Sequence, residues 1–123
     1  MNPIYISKER LSSTLLKSGR SFRQMATESP LCRATIMKII DKKNYTFETY
    51  EKAIAYCRKL YPEEDWTYTT VEELAFFYAA NIPPRDAAVD PIMRNNFLSG
   101  NHIPKVDKYI TLCECKMKME ATE

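Results

Sequence analysis

Apolar residues recur along this chain at intervals of three and four, and short polar stretches holding serine, threonine, proline or glycine interrupt them. That spacing is the signature of amphipathic helices. "KERLSSTLLKSG" sets Leu11, Leu15 and Leu16 on a common side and stops at Gly19. "SFRQMATES" opens on Ser21, a residue suited to capping a helix, and carries Phe22, Met25 and Ala26 as its apolar stripe. Pro30 ends this second helix, because the residue before a proline is pushed out of the α region. "SPLCRATIMKIID" predicts a third helix from about Cys32 to Asp41, with Leu31, Ile36, Ile39 and Ile40 inward and Arg33, Ala34, Thr35 and Lys38 outward. After the polar break "KKNY", Thr46 caps a fourth helix striped by Phe47, Tyr50, Ile54, Cys57 and Tyr61.

"PEEDWTYTT" breaks the pattern and marks the expected joint, dividing the chain into residues 1–61 and 62–123. Trp66, beside the acids of that joint, is expected to anchor the second half to the first. Beyond it "VEELAFFYAAN" predicts a helix with Val71, Leu74, Phe77 and Tyr78 on one face. "PPRDAAVDPIMRNNFLSG" reads as two helical pieces, since Pro91 does not fit a helix interior. "PKVDKYITLCECKMKM" puts Pro104 at a first helical position, followed by Val106, Tyr109, Ile110 and Cys113, and the terminal "EATE" reads as frayed. Strand patterns are confined to the short "PIYI" near the start. The fold class expected is all-α. A faint internal echo sets "FETYEKAIAYC" over "IPKVDKYITLC", a decayed duplication or a coincidence between two amphipathic helices.

Charge sharpens this picture. The net charge of +2 conceals a basic first half, with 12 Lys and Arg against 5 Asp and Glu in residues 1–61, and an acidic second half, with 6 against 11. Such asymmetry suggests that the first half alone meets a polyanion. No apolar run reaches the length of a membrane helix and no secretory apolar region opens the chain, so a cytoplasmic protein with no membrane partner is expected. Cys32, Cys57, Cys113 and Cys115 then read as free thiols. "CEC" with the single His102 lacks the repeated ligand spacing of a zinc site. Without a Gly-rich loop, paired carboxylates or a nucleophile motif, no enzyme, metal or cofactor is expected.

Residues 7–60 resemble the lambda repressor/Cro-like (XRE-type) helix-turn-helix DNA-binding family. Met25-Ala26, Pro30, Leu31, Ile36 and Ile39 stand at the offsets where that family has an apolar residue plus alanine, a turn residue, and three apolar anchors. The offsets have a physical basis: Ala26 lets two helices cross, Leu31 plugs the turn, and Ile36 and Ile39 hold the third helix to the core. Pro30 is the departure, since the family's turn residue is normally a glycine at positive φ, a conformation proline does not adopt. The resemblance implies an N-terminal four-helix lambda-repressor-like helix-turn-helix domain followed by a smaller helical C-terminal region.

It also implies a DNA contact set. The third helix would enter the major groove and present Cys32, Arg33, Ala34, Met37 and Lys38 to base edges. Ser21, Arg23, Gln24, Thr35, Lys42, Lys43 and Asn44 would meet phosphates. Relatives of this kind bind palindromic operators as dimers, so double-stranded DNA and a second copy are the partners expected. The acidic half, with Phe76, Phe77 and Tyr78 concentrated in "ELAFFYAANI", is expected to supply the homodimer surface or to be a degenerate second helix-turn-helix. A transcriptional regulator, most plainly a repressor, is the function implied. The alternative is a protein-interaction module on the same scaffold, such as an antitoxin or an inhibitor of another DNA-binding protein.

Overall fold

A computed structural model describes residues 5–83, 91–100, 103 and 105–121. Seven α-helices and no strand are present among them: α1 (Lys8–Lys17), α2 (Phe22–Glu28), α3 (Arg33–Ile40), α4 (Phe47–Leu60), α5 (Val71–Ala80), α6 (Pro91–Gly100) and α7 (Val106–Ala121). The chain is all-α. Among the described residues no helix is long and apolar enough to cross a membrane. Two compact units are formed, one from Ile6 to Thr67 and one from Tyr5 together with residues 68 onward.

In the front unit α1, α2 and α4 start where the polar breaks provide caps, whereas Cys32 at the start of α3 makes no side-chain cap bond. Ser7, Ser21 and Thr46 each accept a hydrogen bond from the backbone N–H three residues on, satisfying donors that a helix start leaves open. α1 packs on α3 and α4, and α2 packs on α3. Leu11, Leu15, Met25, Leu31, Ile36, Ile39, Tyr50, Ile54 and Cys57 are all buried where these helices meet. Ser12 on α1 donates its hydroxyl to the carbonyl of Ile40 at the end of α3, 2.6 Å away. The segment before α1 is held by Tyr50, whose buried hydroxyl accepts from the Ile6 N–H at 2.9 Å and donates to the Ile6 carbonyl at 2.7 Å.

The front unit runs on past α4. Trp66 is buried in it, its indole N–H donating to the Tyr61 carbonyl at 2.9 Å, with the Arg10 guanidinium 3.9 Å from its ring centre. Tyr61 is the C-cap of α4, the last residue of the expected stripe falling just outside the helix. Its ring lies under the Lys17 ammonium at 4.5 Å.

In the back unit α5 packs on α6 and α7 around Leu74, Tyr78, Phe97, Val106, Tyr109, Leu112 and Cys113. Two more buried tyrosines use their hydroxyls on backbone, Tyr78 on Leu112 O and Tyr109 on Thr69 O, both at 2.7 Å. Pro91 opens α6, where a proline costs nothing because its missing N–H would have no intrahelical partner. The piece expected ahead of it falls largely on residues 84–90, and Pro104 and His102 likewise lie outside the described residues. The two echo segments bury matching positions, Phe47 with Ile103, Tyr50 with Val106, and Cys57 with Cys113.

The expected aromatic cluster of α5 divides. Tyr78 is buried, Phe77 is half-buried edge-on to it, and Phe76 stands 81% exposed. A helix carries neighbouring residues 100° apart, so three consecutive aromatics do not share a face.

Candidate nucleic-acid interface

The stretch from Ser21, the N-cap of α2, to the turn after α3 holds every residue of the expected contact set. The link between the two helices is Ser29-Pro30-Leu31-Cys32, and it contains no positive φ. Ser29 is extended, at φ −122° and ψ 165°, the conformation proline imposes on its predecessor. Its hydroxyl donates to Met25 O at 2.7 Å and accepts from Leu31 N–H at 3.2 Å. The Ser29 side chain therefore bridges the end of α2 to the residue after Pro30 and holds the turn. Leu31 is buried behind this turn, and Ile36 and Ile39 are buried on the inner side of α3. Ala26 is only half-buried, and Met25 alone carries the fully buried position of α2.

With its apolar side inward, α3 leaves Arg33, Ala34, Met37 and Lys38 exposed, with Cys32 exposed as its N-cap. Thr35 is half-buried, its hydroxyl 3.1 Å from the Cys32 thiol. Ser21, Arg23 and Gln24 are exposed at the start of α2, and Ser21 also caps that helix by accepting from Gln24 N–H. Lys42, Lys43 and Asn44 are exposed in the turn behind α3.

That turn is built in an unusual way. Lys42 N–H donates to Ile39 O at 3.1 Å and Lys43 N–H to Lys38 O at 3.0 Å, the paired bonds that close a helix through a left-handed residue. The left-handed residue is Lys42, at φ 58°, where glycine would carry no steric penalty. Lys42→Gly is therefore expected to stabilise the front unit by about 1 kcal/mol, read as a higher urea midpoint of Trp66 emission. An unchanged or lower midpoint would mean that the lysine side chain makes good the strain.

Electrostatics divides the cations of the front unit into two groups. Glu64 lies 3.6 Å from Arg10 and 3.3 Å from Lys17, Glu28 pairs with Arg20 at 2.9 Å, and Glu48 with Lys52 at 3.1 Å. Arg23, Arg33, Lys38, Lys42 and Lys43 have no ion-pair partner among the described residues, and neither have Arg58 and Lys59 at the end of α4, where Arg58 donates to the Trp66 carbonyl. Between Ser29 and Phe47 the four cations face one carboxylate, that of Asp41. Glu64 was unreadable as a partner from the sequence, standing 47 residues beyond Lys17 in a stretch that reads as a linker. In the sequence Phe22 is simply one residue of an apolar stripe, yet its ring lies 5.6 Å from the Arg33 guanidinium.

The thiols differ in the same way. Cys32 is held below the usual thiol range by hydrogen bonding from Thr35, first from its side chain and then from its backbone. Cys57 and Cys113 are pushed up to about 12 by burial. Cys115 is buried beside Met119, and among the described residues no three His, Cys, Asp or Glu gather as a metal site would need. A thiol reagent added to the native chain is expected to react quickly with one cysteine, at a rate that rises with pH and levels off below the usual thiol range. Protection by Cys32→Ser checks the assignment, and two or more fast thiols would contradict the burial.

Comparison of the chain with protein-family models, with curated proteins and with solved structures finds no match.

Proposed function

We propose that this chain is a sequence-specific, double-stranded-DNA-binding transcriptional regulator, a repressor acting as a dimer on a palindromic operator in the cytoplasm. The observation that carries this reading is a cluster of cations: Arg23, Arg33, Lys38, Lys42 and Lys43, on α2, α3 and the following turn, are exposed and have no ion pair among the described residues. Phosphates are the ligands such a set would attract. The offsets of Met25, Leu31, Ile36 and Ile39 support the helix-turn-helix resemblance, in which α3 is the element inserted in the major groove. On α5, the exposed Phe76 supports a homodimer surface in the back unit. The same side chain favours the second reading, an interaction module that binds another protein through the back unit.

Selection of duplexes from a random pool by the full chain tests the proposal. Enrichment of a palindrome is expected, and no retained DNA at low salt would overturn it in favour of the second reading. On the selected site, Arg33→Ala is expected to cost about 1–3 kcal/mol and to relax preference at one base pair. Lys43→Ala should weaken cognate and scrambled duplexes alike and lower the salt slope by about one unit. Equal weakening of both duplexes by Arg33→Ala would make Arg33 a phosphate contact.

A further inference from the structure

We infer that Phe22 is a positioning residue for Arg33, holding its guanidinium at the open end of α3 so that it discriminates one base pair. The inference rests on the DNA-binding reading and deepens it. Phe22 and Arg33 are the first residues of α2 and α3, each directly after its N-cap, and the packing of these helices brings the two starts together. The guanidinium carbon lies 5.6 Å from the ring centre, within the range at which the negative face of an aromatic ring attracts a cation.

The choice of partner matters for what Arg33 can still do. A carboxylate would cancel its charge and occupy two of its five N–H donors in a bidentate pair. A ring attracts the cation without accepting those bonds in the usual sense, so charge and donors stay available to guanine O6 and N7. Arginine otherwise samples many rotamers at an exposed position, and each must be given up on binding. Phe22 is half-buried and fixed at a helix start, whereas Arg33 is exposed, so the ring is the rigid member of the pair. Leucine in its place would keep most of the packing and lose the attraction. Tyrosine would keep both.

The test compares the full chain with Phe22→Leu, Phe22→Met, Phe22→Tyr, Arg33→Ala and the Phe22→Leu/Arg33→Ala double variant. Each is titrated with a duplex selected from the random pool, with the same duplex altered at the base pair that Arg33→Ala identifies, and with a scrambled duplex. Phe22→Leu and Phe22→Met are expected to lose about two- to five-fold of the discrimination between the first two duplexes, with scrambled-duplex affinity unchanged. Phe22→Tyr keeps the discrimination, and the double variant is no worse than Arg33→Ala. In the free protein, the Arg33 ε-proton should be shifted upfield by the ring with Phe22 or Tyr at this position and lose that shift with Leu or Met. This measurement needs no DNA, and circular dichroism separates it from unfolding. Full discrimination in Phe22→Leu and Phe22→Met, equal losses on all duplexes, a further loss in the double variant, or an unshifted ε-proton in the native chain would each overturn the inference while leaving the DNA-binding reading intact. Absence of any duplex binding would remove both.

Discussion

Ile36→Asp is expected to unfold the front unit. Ile36 is 1% exposed on the inner side of α3, the helix that packs against both α1 and α2. A carboxylate there has no cation within the apolar set around it, and desolvating an unpaired charge while losing the apolar side chain costs about 4 kcal/mol or more. Domains of this size have about 5–15 kcal/mol in all. Trp66, the single tryptophan and buried in this unit, reports the outcome. Its emission should be red-shifted already without denaturant. Ala26→Glu serves as the contrast, because Ala26 is half-buried and its longer substituent has a way out to water. A loss of about 1–2 kcal/mol is expected there. Near-native melting of Ile36→Asp would show that α3 presents a different face to the core.

Tyr50→Phe is the second large effect. The ring of Tyr50 is fully buried, and removing one oxygen deprives both the N–H and the carbonyl of Ile6 of their partner. Each buried backbone group left unsatisfied costs about 1–3 kcal/mol, so the two together make a loss of about 2–6 kcal/mol in urea unfolding. The shape of the core hardly changes, so the effect belongs to hydrogen bonding and not to packing. A loss below about 0.5 kcal/mol would mean that water reaches Ile6 once the hydroxyl is gone.

The helices were legible because their signals are local. Ser7, Ser21, Thr46 and Thr70 cap the helices that follow them, and the apolar spacing names most of each buried side. Leu16 is the exception: expected beside Leu11 and Leu15, it is 62% exposed, because it lies 100° around α1 from Leu15. The sequence predicts the third helix from about Cys32 to Asp41; it spans Arg33–Ile40, and the two expected ends are its caps. What stayed hidden depends on residues far apart or on backbone geometry. Glu64 meets Arg10 and Lys17 only because the chain after α4 folds onto α1. Phe22 looks like any apolar residue at a helix start until α3 is laid beside it. Pro30 marks the end of α2 in the sequence, but the hydroxyl of Ser29 that completes the turn has no pattern of its own. Lys42 in the left-handed region ran against its residue type, so propensity pointed away from it. The exposure of Arg33, Ala34 and Lys38 on α3 follows from helix period, with Thr35 half-buried against it, while the pairing of Arg10 and Lys17 with Glu64 required the fold.

The three buried tyrosine hydroxyls bear on time as well as on stability. Helical chains fold fast because most of their contacts join near neighbours. Tyr50 with Ile6, Tyr109 with Thr69 and Tyr78 with Leu112 join residues 44, 40 and 34 apart, so each closes a long loop. Bonds of this kind are expected to form after the helices have docked. Their removal then speeds unfolding and leaves the folding rate nearly unchanged. The hydroxyls thus govern the lifetime of each folded unit between openings, and the local helical pattern governs how soon it forms again.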